Sequence, residues 1–120
     1  MARVLVVDDS EITRSMIGEF LLLNGHEVAG EAENMAQALA VYSAKRPDVV
    51  TLDLSMGADD GFAVLKALLS KDAAARVLIV SANTQKEIYD DLIKIGAKGF
   101  LTKPFKIDEL DAAVSKALRS

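Results

Sequence analysis

Five polar residues each close a short apolar run. Asp8 and Asp9 follow VLVV, Asp53 follows VVTL, Ser81 follows VLIV and Lys103 follows GFLT. Carboxylates gathered in one place raise one another's pKa unless a cation stands among them. An oxygen-only set with no His or Cys suits Mg²⁺, which keeps several waters and takes one or two carboxylates plus phosphate oxygens. Lys103 is a point charge that can pair with a carboxylate or a phosphoryl oxygen. Ser81 carries a hydroxyl that can hydrogen-bond a phosphoryl oxygen. Together these groups would stabilise charge on a phosphoryl group in transfer. The missing part is a nucleophile, and a carboxylate can serve by forming an acyl phosphate. Asp53 is the best placed, because it ends the central third run; Asp8 and Asp9 are then left for the metal.

Taken singly, each residue has a plainer explanation. An Asp at a strand end is usually a solvated cap, Ser81 could be a cap, and a lysine before a proline is normally just solvated. The conjunction changes that, provided the elements bring the residues to one edge. Apolar, β-branched runs at Val4–Val7, Val28–Glu31, Val49–Leu52, Val77–Val80 and Gly99–Leu101 predict strands, the second of them weak. Helical spacing lies between them. Ile12, Met16, Phe20 and Leu23 mark the first helix, which Ser10 would cap and Asn24–Gly25 would stop. Asn34 with Gln37 reads as a capping box, and that helix must end before Pro47. Phe62, Leu65 and Leu69 mark the third. Thr84 with Glu87 is a second capping-box match, leading Ile88, Leu92 and Ile95 to a stop at Gly96. Ile107, Leu110, Val114 and Leu118 mark the last. Strict alternation implies parallel βαβ units with right-handed crossovers and helices on both sheet faces. Ligands of such sheets bind at the carboxyl ends of the strands, and all five polar residues fall there.

Composition narrows the class. The chain has 120 residues, 51% of them apolar, enough for one domain with a real core. No apolar run approaches the roughly 20 residues of a membrane helix, and the N-terminus is no signal peptide. With no cysteine there is neither a disulfide nor a thiolate zinc site. A cytoplasmic protein is expected. Net charge is −4 and the 14 basic residues are scattered, which argues against an intrinsic nucleic-acid surface. His26, the only histidine, sits in the turn NGHEV far from the carboxyl edge, so no catalytic role is assigned to it. Glu31, Glu33, Asp90 and Asp91 read as solvated faces.

The segments VLVVDDS, DVVTLDLSM (48–56), VSA (80–82) and GFLTKPF (99–105), with their intervals, resemble the receiver domain of two-component response regulators. The resemblance spans the chain and is strongest to small, free-standing, chemotaxis-type receivers. It implies a flavodoxin-like doubly wound α/β fold: a five-stranded parallel sheet of order 2-1-3-4-5 with five helices in three αβα layers. It implies one receiver domain over residues 1–120, with no effector domain. Asp53 matches the phosphoacceptor, Asp8 and Asp9 the Mg²⁺-binding pair, and Ser55 the residue whose backbone carbonyl completes the metal site. Mn²⁺ can replace Mg²⁺ there. Ser81 matches the switch hydroxyl, Lys103 the invariant lysine, Phe100 the aromatic that turns inward on activation, and Pro104 a proline usually preceded by a cis peptide bond.

The function implied is a phosphorylation-dependent switch that catalyses only its own phosphorylation and dephosphorylation. The donor would be a sensor histidine kinase, a phosphotransfer protein or a small phosphodonor. Kinase docking would use Ile12, Thr13, Met16 and Pro104–Phe105, although spacing alone allows Met16 to be core. Output would pass to a protein target through the fourth helix, fifth strand and fifth helix, from a monomer or a phosphorylation-dependent dimer. Gly57 stands where the family usually has proline, which predicts a more flexible loop. Phe100 lacks the hydroxyl of the tyrosine in many relatives. Ser55 and Asn83 occupy positions that set the phosphoryl lifetime. Three other readings are weaker. A receiver fold that is never phosphorylated would not need every phosphorylation residue type. A haloacid-dehalogenase-like phosphatase wants a second acid where Ser55 stands. A flavin or nucleotide binder wants a Gly- or Thr-rich loop where DDSEIT is acidic.

Overall fold

The computed structural model describes residues 1–56, 60–82 and 85–120. Elements alternate along the chain: β1 (Arg3–Val7), α1 (Glu11–Leu23), β2 (Glu27–Ala32), α2 (Met35–Lys45), β3 (Val49–Asp53), α3 (Gly61–Lys71), β4 (Val77–Ser81), α4 (Lys86–Ile95), β5 (Gly99–Thr102) and α5 (Ile107–Leu118). The strands form one parallel sheet in the order β2-β1-β3-β4-β5, as the resemblance implies. β1, β3 and β4 are interior and buried almost throughout, which is why their sequences are apolar runs, interrupted only by Thr51 in β3. β2 lies at the sheet edge and is only half-buried, which explains its weak signal.

The sheet separates two apolar layers. Leu5, Val7, Val50, Leu52, Val77 and Ile79 face α2, α3 and α4. Val4, Val6, Val49, Leu78 and Val80 face α1 and α5. This period of two turns alternate residues of each strand toward opposite layers and leaves the strand ends free.

Helix ends follow local chemistry. Ser10 caps α1 by accepting from the Thr13 N–H (3.3 Å). Asn34 caps α2 through the Gln37 N–H (2.9 Å), but the Gln37 side chain bonds the Glu33 N–H (2.9 Å), one residue before the capping-box partner. α2 ends at Lys45, before Pro47. Thr84 of the expected second capping box lies outside the described residues; α4 starts at Lys86 behind Gln85, so Glu87 is one position early for a box. Gly96 ends α4 at φ 132°, a conformation open to glycine. In α1 the helix forms as expected, but of the expected apolar stripe only Phe20 packs against the core. Ile17 and Leu21 are the buried pair, whereas Ile12 is 84% and Leu23 67% exposed. Apolar residues lie on more than one side of this helix, so spacing alone selects the wrong face.

Candidate phosphoacceptor site

The carboxyl ends of β1 and β3 lie side by side, since Val7 pairs with Leu52. The next residue on each strand is therefore an adjacent carboxylate. Asp8 and Asp53 are buried, Asp9 is exposed, and the three offer carboxylate oxygens all within 4.8 Å of one another. Lys103, just past β5, reaches across: its Nζ lies 3.2 Å from Asp8 Oδ2 and 3.7 Å from Asp53 Oδ1. The Lys103 backbone N–H donates to the Ser81 carbonyl (2.9 Å), locking the lysine to the end of β4. The Lys103–Pro104 peptide bond is cis, matching the resemblance.

Each carboxylate is further oriented. Asp8 Oδ1 accepts from the Ser10 N–H (2.9 Å), and Asp53 Oδ1 from the Ser55 N–H (3.1 Å). The Asp8 carbonyl accepts from Arg14 Nη1 (2.6 Å). Behind Asp53, the first residue of α3 approaches closely: a Cβ on Gly61 would lie 2.6 Å from the Leu54 Cα. Only glycine lets the helix seat there. Burial pushes the Asp53 carboxyl up from its ordinary value; the Ser55 N–H and the Lys103 charge oppose this, and Asp8 and Asp9 add to it. A buried acid facing two more carboxylates and one ammonium is short of positive charge. The donor set is all oxygen, close-spaced and net negative, which fits Mg²⁺.

The described residues expected at the site lie at the carboxyl edge, except Phe100, which pairs with Ile79 further back in the sheet. Asp8, Asp9, Asp53 and Lys103 form the cluster. Ser55 is exposed beside Asp53, and Ser81 is buried at the end of the neighbouring β4. Phe100 is outside the cluster, on the surface, stacked on Tyr89 at 3.9 Å between ring centres. Gly57 and Asn83 lie outside the described residues. His26 is at the opposite edge, its Nδ1 accepting from the Ala2 N–H (3.0 Å). Sequence reasoning missed two contacts. Tyr89 bonds Thr102 (3.3 Å), the cross-strand partner of Ser81, and so links Phe100 to the site's edge. Arg14, paired with Glu31 at 3.0 Å, holds the Asp8 carbonyl, so Glu31 is not merely solvated.

Comparison with known proteins accords with this geometry. The family model for the response regulator receiver domain matches residues 4–115. The chain belongs to the receiver-domain family of response regulators. The chemotaxis protein CheY of Bacillus subtilis is 44% identical over 116 residues, covering 97% of each chain. Among solved structures, the signal receiver domain of the response regulator NarL from Mycobacterium tuberculosis superposes with a TM-score of 0.91 at 36% identity, covering 99% of this chain and 97% of that one. CheY of Borrelia burgdorferi, solved with CheX, BeF₃ and Mg²⁺, gives a TM-score of 0.89 at 30% identity over 93% of this chain and 85% of that one. The receiver domain described here is thus CheY-like, and its role is phosphorylation-dependent signalling. Among the described residues no helix is long and apolar enough to cross a membrane.

Proposed function

We propose that Asp53 accepts a phosphoryl group from the phosphohistidine of a sensor kinase or phosphotransfer protein, or from a small phosphodonor. The reading rests above all on one observation: a buried carboxylate flanked by two others and bridged by Lys103. An Asp53 carboxylate oxygen attacks phosphorus in line, the donor's P–N or P–O bond breaks, and the donor leaves with the electron pair. Lys103 neutralises a phosphoryl oxygen while its backbone anchor on Ser81 keeps the ammonium in place. Asp8, Asp9, Asp53 and the Ser55 carbonyl would hold Mg²⁺, which supplies positive charge against the carboxylates and the phosphoryl oxygens. Attack of water on phosphorus breaks the bond to the Asp53 oxygen, releasing inorganic phosphate and returning the free carboxylate.

The output step uses the other side of the edge. Ser81 turns its hydroxyl to the new phosphoryl oxygen, and Phe100 leaves its stack on Tyr89 for the space released. The α4–β5–α5 face carries a pocket of about 330 Å³ lined by Ile93, Lys98, Phe100, Ala113 and Lys116, where a protein target would sense the change. Coupling of about 1–3 kcal/mol would suffice to bias a pre-existing equilibrium. The kinase would dock on exposed Ile12 and Met16 with Thr13 and Pro104–Phe105. The unit of action is the single receiver over residues 1–120, and its place of work is the cytoplasm.

The test is intact mass after incubation with acetyl phosphate and Mg²⁺. One phosphoryl adduct is expected, lost in Asp53→Asn and in EDTA. An adduct that survives in Asp53→Asn would move the acceptor elsewhere; no adduct under conditions that trap acyl phosphates would leave a receiver fold that works unphosphorylated.

A further inference from the structure

Arg14 is one turn into α1 and its side chain is 13% exposed. Its guanidinium bridges two elements. Nη1 donates to the Asp8 carbonyl at 2.6 Å, and Nε donates to Glu31 Oε1, near the end of β2, at 3.0 Å. That carbonyl belongs to the peptide unit joining Asp8 to Asp9. The other polar atoms of Asp8 are fixed too. Its N–H donates to the Ala32 carbonyl (3.0 Å), Oδ1 accepts from Ser10 and Oδ2 from Lys103. The Arg14 bond completes the set by fixing the plane of the Asp8–Asp9 peptide. Rotation of that plane would swing the Asp9 carboxylate, which belongs to an exposed residue.

A guanidinium beside an acidic cation site is counterproductive on charge alone. Glu31 offsets this, because its carboxylate pairs with the guanidinium through Nε, a different nitrogen from the one that meets Asp8. The fork geometry of arginine satisfies both contacts at once, which a lysine point charge does not. We infer that Arg14, held by Glu31, is a positioning residue that aims the Asp8–Asp9 pair at the divalent cation. The inference rests on the proposed reading of Asp8, Asp9 and Asp53 as a cation site. Groups that orient the ligands of a metal commonly matter by about 10–100-fold in affinity.

Electrostatics and positioning predict opposite signs, which makes the inference testable. Loss of a positive charge should tighten binding of a dication; loss of a positioning contact should weaken it. The experiment is a Mg²⁺ titration of the metal-free protein, without phosphodonor, followed by the amide shifts of Asp9 and Ser10. Wild type, Arg14→Met and Arg14→Lys are compared, with thermal melts in EDTA recorded beside them. Both variants should bind Mg²⁺ about tenfold more weakly or worse. Arg14→Lys keeps the charge and the helix, so it serves if Arg14→Met does not fold. Affinity equal to or tighter than wild type in either folded variant overturns the inference, even if that variant melts earlier, since the role would then be purely structural. Absence of Mg²⁺ binding by wild type would instead overturn the cation-site reading, and this inference with it.

Discussion

The carboxyl ends of β1 and β3 differ in kind from those of β4 and β5. On the first side Asp8 and Asp53 are buried and held by several partners. Asp8 is bonded by Ser10, Lys103 and Arg14, and Asp53 by Ser55 and Lys103. On the second side the contacts are looser and reach the surface: a 3.3 Å contact of Tyr89 with Thr102, then a ring stack onto Phe100, which is 38% exposed. Fixed groups stabilise charge without reorganising, which suits chemistry. Shallow surface contacts differ little in free energy between two arrangements, which suits a switch. Lys103 belongs to both sides: its backbone follows Thr102 and bonds Ser81, while its ammonium lies between Asp8 and Asp53.

The division can be broken most severely at that joint. Lys103→Ala should slow labelling by acetyl phosphate by about a hundredfold, measured as an initial rate by mass. A rate within a fewfold of wild type would mean the lysine serves only the switch. Tyr89→Ala tests the other side. It should leave the labelling rate within about twofold while lowering stability by about 1 kcal/mol or more, through the lost ring stack and buried area, read by urea denaturation. A large fall in labelling would show that the two sides are not separable.

Two further measurements sharpen the chemical side. Burial raises the Asp53 pKa in the folded chain, so the folded state favours the protonated acid and ionised Asp53 weakens folding near neutral pH. Without metal, Asp53→Asn should therefore melt higher than wild type at pH 7. The gain should shrink as pH falls through the raised pKa and vanish below the ordinary carboxylate value, where wild type is protonated in both states. A constant gain would point to another cause. The smallest effect is expected two residues upstream. The Thr51 hydroxyl is buried with no hydrogen-bond partner among the described residues, so Thr51→Val should raise stability by about 1 kcal/mol without changing the labelling rate.

Much of the chemical side was legible in the sequence, and little of the switching side was. Interior strands are buried on both faces and so write largely apolar runs, and each run ends at a polar residue on the carboxyl edge. Fixed strand ends let position alone bring Asp8, Asp53, Ser81 and Lys103 to one edge of the sheet. The outward face of α1 was not legible, because Ile12 and Leu23 share helical spacing with core residues yet lie in solvent. The Tyr89–Thr102 and Arg14–Asp8 contacts were also hidden. They join separate elements through side chains, and no local spacing encodes them.

A phosphoryl group at Asp53 should be felt at Phe100 through Lys103 and Ser81. The most direct measurement is an amide and aromatic NMR comparison before and after adding beryllofluoride with Mg²⁺, which mimics the acyl phosphate. Shifts should extend from Asp53 through Ser81 and Lys103 to Tyr89, Phe100 and the α4–β5–α5 face, and should vanish in Asp53→Asn. Shifts confined to Asp8, Asp9, Asp53 and their neighbours, with Tyr89 and Phe100 unmoved, would contradict it.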